Sequence, residues 1–147
     1  MGPDLILTFL AMPIGPSVNA AYATGKYGRR FKSKEMRDWE KQMDLWWTKN
    51  RALFKEVKQA VNKVPKRNTF EITIDFFFEQ SRILCKDLTP KRLDLDNRIK
   101  AMLDNICEKI GIDDCRIWKI TVHKEIQLKG MPDECNAVLK VGLCDPD

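Results

Sequence analysis

A chain of 147 residues, 44% hydrophobic, is long enough for one compact domain with a core of its own, so its fold needs neither a disulfide framework nor a structural metal. Its 26 Lys and Arg against 21 Asp and Glu give a net charge of +5 and a pI near 9.0, which favours polyanions, nucleic acid first, as partners. The cysteines at 85, 107, 115, 135 and 144 form no CxxC pair and share the chain with one histidine, His123, which argues against a zinc site. Without a secretory signal or a long apolar run, the expectation is a cytoplasmic protein with reduced thiols and no membrane contact.

The first strand is expected in the alternating run Leu5 to Leu10, which meets Pro13, Gly15 and Pro16. Residues 15 to 32 read as a mobile basic loop, with Lys26, Arg29, Arg30 and Lys32 interleaved with Tyr22, Tyr27 and Phe31. Those cations are candidate DNA contacts. The aromatics suit either stacking on unpaired bases or anchoring the loop to the core. Ser33 can cap a long helix whose apolar seam, Met36, Trp39, Met43, Trp46, Leu53, Val57, Ala60 and Val64, is interrupted only by Asn50 and closed by Pro65. An Asn in such a seam can mark a helix-to-helix dimer contact, but core packing explains the stripe better.

Phe70, Ile72, Ile74, Phe76 and Phe78 alternate with Glu71, Thr73, Asp75, Phe77 and Glu79, a second strand with one buried face. Ile99, Leu103, Ile106 and Ile110 recur at helical spacing up to Gly111, a left-handed cap. Alternation resumes at Trp118, Ile120 and Val122, and again from Ala137 to Leu143. The order strand, helix, strand, helix, strand, strand predicts one α+β domain over residues 1–147, a mixed sheet covered by helices.

Chemistry concentrates between the second strand and the second helix. Asp94 and Asp96, two residues apart in extended backbone, project to one side and could hold a hard cation such as Mg2+ through oxygen. Lys91, Arg92, Arg98 and Lys100 around them would draw a phosphate to the same place. Each element also has a plainer explanation, because Asp is a common N-cap and the Asp113-Asp114 pair an ordinary turn signal. His123 and Asp75 are expected on strand faces, with Asp75 a lesser candidate ligand.

Taken together, Asp94-Leu95-Asp96-Asn97, Lys100, Asp104 and Gly111-Ile112-Asp113-Asp114 resemble the signature of the RusA family of Holliday junction resolvases. The likeness is best from Arg92 to Val122, and a second patch covers Pro13, Pro16, Ser17, Asn19 and Tyr22, then Ser33, Lys34, Glu35, Arg37 and Trp39. It implies that Asp94, Asp96 and Asp114 bind a catalytic Mg2+, with Mn2+ as a substitute, and that Lys100 is a required cation. Asn97, Asp104 and Asp113 match neighbouring family positions. It also implies a homodimer, a bacterial or prophage setting, and symmetric cutting of four-way DNA junctions. The long first helix and the Arg-poor stretch Ser81 to Pro90 depart from the pattern, which bears on junction selectivity. Rival readings are a non-catalytic branched-DNA-binding protein and a flap or fork nuclease. A metal-dependent transferase would need a larger nucleotide-binding domain.

One geometric question follows. A helix over residues 97 to 110 is on the order of 20 Å long, with Asp96 and Asp114 at opposite ends. The carboxylates meet only if the helix is shorter or bent, the chain doubles back, or a second subunit contributes Asp114.

Overall fold

The computed structural model describes residues 5–16, 22–93 and 95–142, with the side chains of Asp96 and Asn97 set aside. Four strands form the main sheet in the order β1 (Ile6–Met12), β6 (Glu134–Val141), β4 (Phe70–Phe78), β5 (Ile117–Ile126). β6 lies antiparallel to both β1 and β4, whereas β4 and β5 are parallel. A parallel pair cannot be joined by a tight turn, and its crossover carries a helix, α4 (Asp96–Ile110). The sheet is therefore mixed, as the strand pattern predicts.

Period-two alternation decides which side of the sheet is covered. Phe70, Ile72, Ile74, Phe76 and Phe78 are buried, while the residues between them are half-buried on the other face. The buried face packs against α1 (Lys34–Lys49), α2 (Arg51–Asn62) and α4 in one core that includes Met43, Trp46, Val57, Met102 and Ile106.

The single long helix expected from Ser33 to Pro65 is two helices. Ser33 does cap α1, its Oγ accepting from the Met36 N–H at 3.1 Å. At Asn50 the backbone leaves helical geometry (φ −108°, ψ 30°), and the Asn50 side chain donates to the Trp46 carbonyl at 2.8 Å. An amide side chain that competes for backbone partners is a local reason for the break. The α1 seam is committed inside the molecule: the Trp39, Trp46 and Trp47 indole N–H groups donate to the Pro13 carbonyl, the Leu10 carbonyl and Asn105 Oδ1. Core packing, not a coiled coil, accounts for it.

The expected basic loop is also more ordered than its composition suggests. β2 (Tyr22–Thr24) and β3 (Arg30–Lys32) pair antiparallel around a short 3-10 turn, Lys26–Gly28. Ser17 and Asn19 lie outside the described residues. A one-turn helix absent from the sequence reading, α3 (Gln80–Ile83), follows β4 and leads through a Leu84–Pro90 bridge toward α4.

Candidate DNA cleavage site

α4 divides its surface between scaffold and site. Ala101, Met102, Ile106 and Ile110 are buried, whereas Lys100 and Asp104, one turn apart, face outward and form an exposed ion pair at 3.5 Å. Leu95, just before α4, already has helical backbone (φ −75°, ψ −36°) and offers no side-chain cap, and Asp94 before it lies outside the described residues. The helix ends as the sequence predicts, with Gly111 left-handed (φ 78°) and the N–H groups of Gly111 and Ile112 both donating to the Cys107 carbonyl.

That cap reverses the chain. Ile112 is drawn into the core, and Asp113 opens a 3-10 turn, Asp114–Arg116, by accepting the Cys115 N–H at 3.1 Å. This hydrogen bond holds the Asp113 carboxyl below the usual carboxylate range and ties it to the turn. Arg116 fastens the other end, donating to the Pro65 carbonyl at 3.0 Å and the Asn68 carbonyl at 3.1 and 3.2 Å, with its guanidinium 4.6 Å from the Phe70 ring centroid.

Asp114 is thereby returned alongside α4. It lines an open groove of about 350 Å³ with Ile99, Lys100, Leu103 and Asp104. The Cys107 thiol beneath registers the clustering: burial, and then the negative charges of Asp114, Asp104 and Asp113, push it up to about 11. Of the routes by which the ends of α4 could communicate, doubling back is the one observed for Asp114. The groove reaches Lys100, one helical turn, or about 6 Å of rise, from the backbone of Asp96.

Asp94 lies outside the described residues, and so do the side chains of Asp96 and Asn97. Among the described residues no three His, Cys, Asp or Glu side chains are gathered closely enough to hold a metal. The groove thus contributes Asp114, Asp104 and Lys100 from the sequence-predicted set. His123 and Asp75 pair with each other instead, Nδ1 to Oδ1 at 2.7 Å, as register partners on β5 and β4.

The candidate DNA-contacting cations divide by how freely they are presented. Lys26, Arg29 and Arg30 are exposed on the β2–β3 hairpin, and Arg92 is exposed ahead of α4. Lys32 pairs with Glu40 at 3.0 Å, which fastens the hairpin to α1. Lys91 donates to the Ser81 carbonyl at 2.6 Å. Arg98 is half-buried, donates to the Gly15 carbonyl at 3.2 Å and lies near the Phe78 ring, so it joins the chain after β1 to the start of α4.

The Endodeoxyribonuclease RusA family model matches residues 12–132. The chain belongs to this family. The match spans the helices, the hairpin, the groove and Asp114, and RusA-family membership makes the protein a nuclease acting on DNA. No curated protein matches the sequence. No helix among the described residues is long and apolar enough to cross a membrane. Within this RusA-family chain, sequence reasoning missed Arg116 and Asn105. Neither position carries a periodic or motif signal, because each acts through a carbonyl or a contact distant in sequence.

Proposed function

We propose that the protein is a divalent-metal-dependent endonuclease that resolves four-way DNA junctions by hydrolysing phosphodiesters in symmetric strands, acting as a homodimer in a bacterial or phage-infected cell. The observation that carries this reading is the chain reversal at Gly111, which sets Asp114 in one groove with Asp104 and with Lys100, itself one turn into α4 from Asp96.

The donor chemistry fits a hard cation. Asp114 and Asp104 offer carboxylate oxygens at solvent, and Asp94 and Asp96 add two more from the adjoining sequence, a set suited to Mg2+ or Mn2+. When bound, such a cation offsets the charge that develops on the phosphate oxygens and eases ionisation of water. The chain's own residues supply the remainder. Asp94, Asp96 and Asp114 hold the cation, and Lys100 places a positive charge where the scissile phosphate enters. Asp104 stands beside that ammonium, 3.5 Å away, on the same outward face of α4. Asp113 and Arg116 hold the turn that presents Asp114.

The deciding experiment incubates the protein with four-way, forked and linear DNA, with Mg2+ or with chelator. Symmetric, Mg2+-dependent nicking of the four-way substrate is expected. Asp94→Asn, Asp96→Asn and Asp114→Asn should each abolish cutting and retain binding, since removing anionic charge does not weaken phosphate contact. Persistent cleavage in these variants sinks the assignment, and a preference for forks moves it to a flap or fork nuclease. Mixed dimers of Asp94→Asn and Asp114→Asn chains decide whether the carboxylates come from one chain, in which case they stay inactive. Recovered activity would place the site across two subunits.

A further inference from the structure

The β2–β3 hairpin carries an aromatic residue that the fold does not use. Two of its three rings are occupied locally. Arg30 lies over the Tyr22 ring at 5.1 Å, and Phe31 packs so closely on Gly25 that a Cβ there would come within 2.9 Å of it. Tyr27 is different. It sits at the tip with 99% of its surface exposed, in left-handed backbone (φ 62°, ψ 26°) that residues with a Cβ seldom adopt. Gly28 follows, also left-handed (φ 72°), and the turn is closed by the Gly25 N–H donating to the Arg29 carbonyl at 2.7 Å. The tip is thus a defined turn that holds a bare phenol ring away from the body. β3 runs directly into Ser33, the cap of α1, and Lys32 is paired with Glu40, so the finger is joined to α1 on its β3 side.

The chemistry around the ring narrows what it could meet. Lys26, Arg29 and Arg30 flank it, all exposed, and no acidic residue lies between Tyr22 and Lys34. A flat ring ringed by cations matches a nucleic-acid strand whose bases are free to stack and whose phosphates lie alongside. Duplex DNA offers the phosphates but closes its base faces to a side approach. A branch point or single strand offers both.

We propose that Tyr27 is a base-stacking finger that packs on an unpaired nucleobase where a DNA duplex opens, while Lys26, Arg29 and Arg30 hold the neighbouring phosphates. This rests on the reading of branched DNA as the substrate and adds a means of selecting it. The finger recognises strand discontinuity without regard to sequence, because every base presents a face to stack upon.

The test compares the full chain with its Tyr27→Ala, Tyr27→Gly and Tyr27→Phe variants. Each is titrated by fluorescence anisotropy onto a four-way junction, a fork, a linear duplex and single-stranded oligo(dT), and 2-aminopurine at the branch point reports stacking. Removing the ring should weaken binding to oligo(dT), fork and junction roughly tenfold and abolish the 2-aminopurine response, with duplex binding left within about twofold. Tyr27→Phe should behave as wild type. Tyr27→Gly removes the ring and relieves the left-handed backbone, so matching losses in the Gly and Ala variants assign the effect to the ring. Equal losses on duplex, or no loss on any DNA, overturn the proposal. Junction cutting that is indifferent to Tyr27 overturns the finger and leaves the resolvase reading standing. Tyr27-dependent oligo(dT) binding by a protein that cuts no junction does the reverse, and a protein that binds no DNA overturns both.

Discussion

Arg116 offers the sharpest test of how the carboxylate groove is held. Its Nε and Nη2 make three hydrogen bonds to two backbone carbonyls, Pro65 and Asn68, and its guanidinium covers Phe70, a residue with no exposed surface. Arg116→Ala removes all of these and leaves the Asn68 carbonyl short of a donor. Hydrogen bonds from a charged donor contribute roughly 1.5–3 kcal/mol each when buried. Arg116 is half-exposed and its bonds share acceptors, so a total of about 2 kcal/mol is the reasonable sum. For a chain of this size that is a fall in Tm of about 6 °C. Arg116→Lys keeps the charge but cannot bridge two carbonyls with a rigid fork, and it should recover less than half of the loss. Asp114 lies two residues before Arg116 in the same turn, so kcat on a four-way junction should drop in both variants while KM stays near wild type. Thermal denaturation followed by circular dichroism, with nicking kinetics beside it, reads both effects. A Tm within ~1 °C of wild type refutes the energetic argument. A lowered Tm with unchanged kcat refutes the positioning argument.

Three further outcomes are expected. Gly15→Ala places a methyl 3.0 Å from Ala101 Cβ and 3.2 Å from the Trp39 ring, so it should cost about 1–3 kcal/mol by overpacking the α1–α4 contact, and the double variant with Ala101→Gly should recover part of that in a chemical denaturation series. The depressed Asp113 carboxyl stabilises the fold above the ordinary carboxylate pKa and loses that contribution as pH falls through its lower folded value; the Tm difference between wild type and Asp113→Ala should therefore shrink below about pH 4, and a constant difference down to pH 2 would refute it. Cys107 and Cys135 are pushed up to about 11 and about 12, so they bind protons in the folded state after unfolded thiols have ionised. Stability should decline from near pH 9 upward, and Cys107→Ala should flatten that decline, as measured by melts between pH 8 and 11.

Much of the framework is legible in the sequence because it depends on local periodicity. β4 alternates without a break over nine residues, and α4 keeps its apolar spacing to a glycine that can only be a cap. What escapes is decided by contacts distant in sequence or by elements too short to show a period. β2 and β3 have three residues each, fewer than alternation needs, so their glycines and cations read as loop. The apolar seam through Asn50 continues in phase on both sides, and nothing periodic marks the break; the Asn50 amide that turns back to Trp46 does. α3 is a single turn, which carries no helical signature of its own.

The carboxylates illustrate the same division at the site. Counting along α4 separates Asp96 from Asp114 by the full helix, and that arithmetic is correct for a chain that continues straight on. Gly111 is readable as a cap, but a cap alone does not set the direction of the next segment. Direction follows from Ile112, which finds its place in the core, and from Arg116, which reaches carbonyls in the connection between α2 and β4. Neither partner can be inferred from spacing. Once both are in place, the turn has to run back beside α4, and Asp114 enters the groove with Lys100 and Asp104. Asp114 is therefore placed by Ile112 and Arg116, neither of which lines the groove, so substitutions at either should damage cleavage through geometry while leaving every charged group of the groove intact.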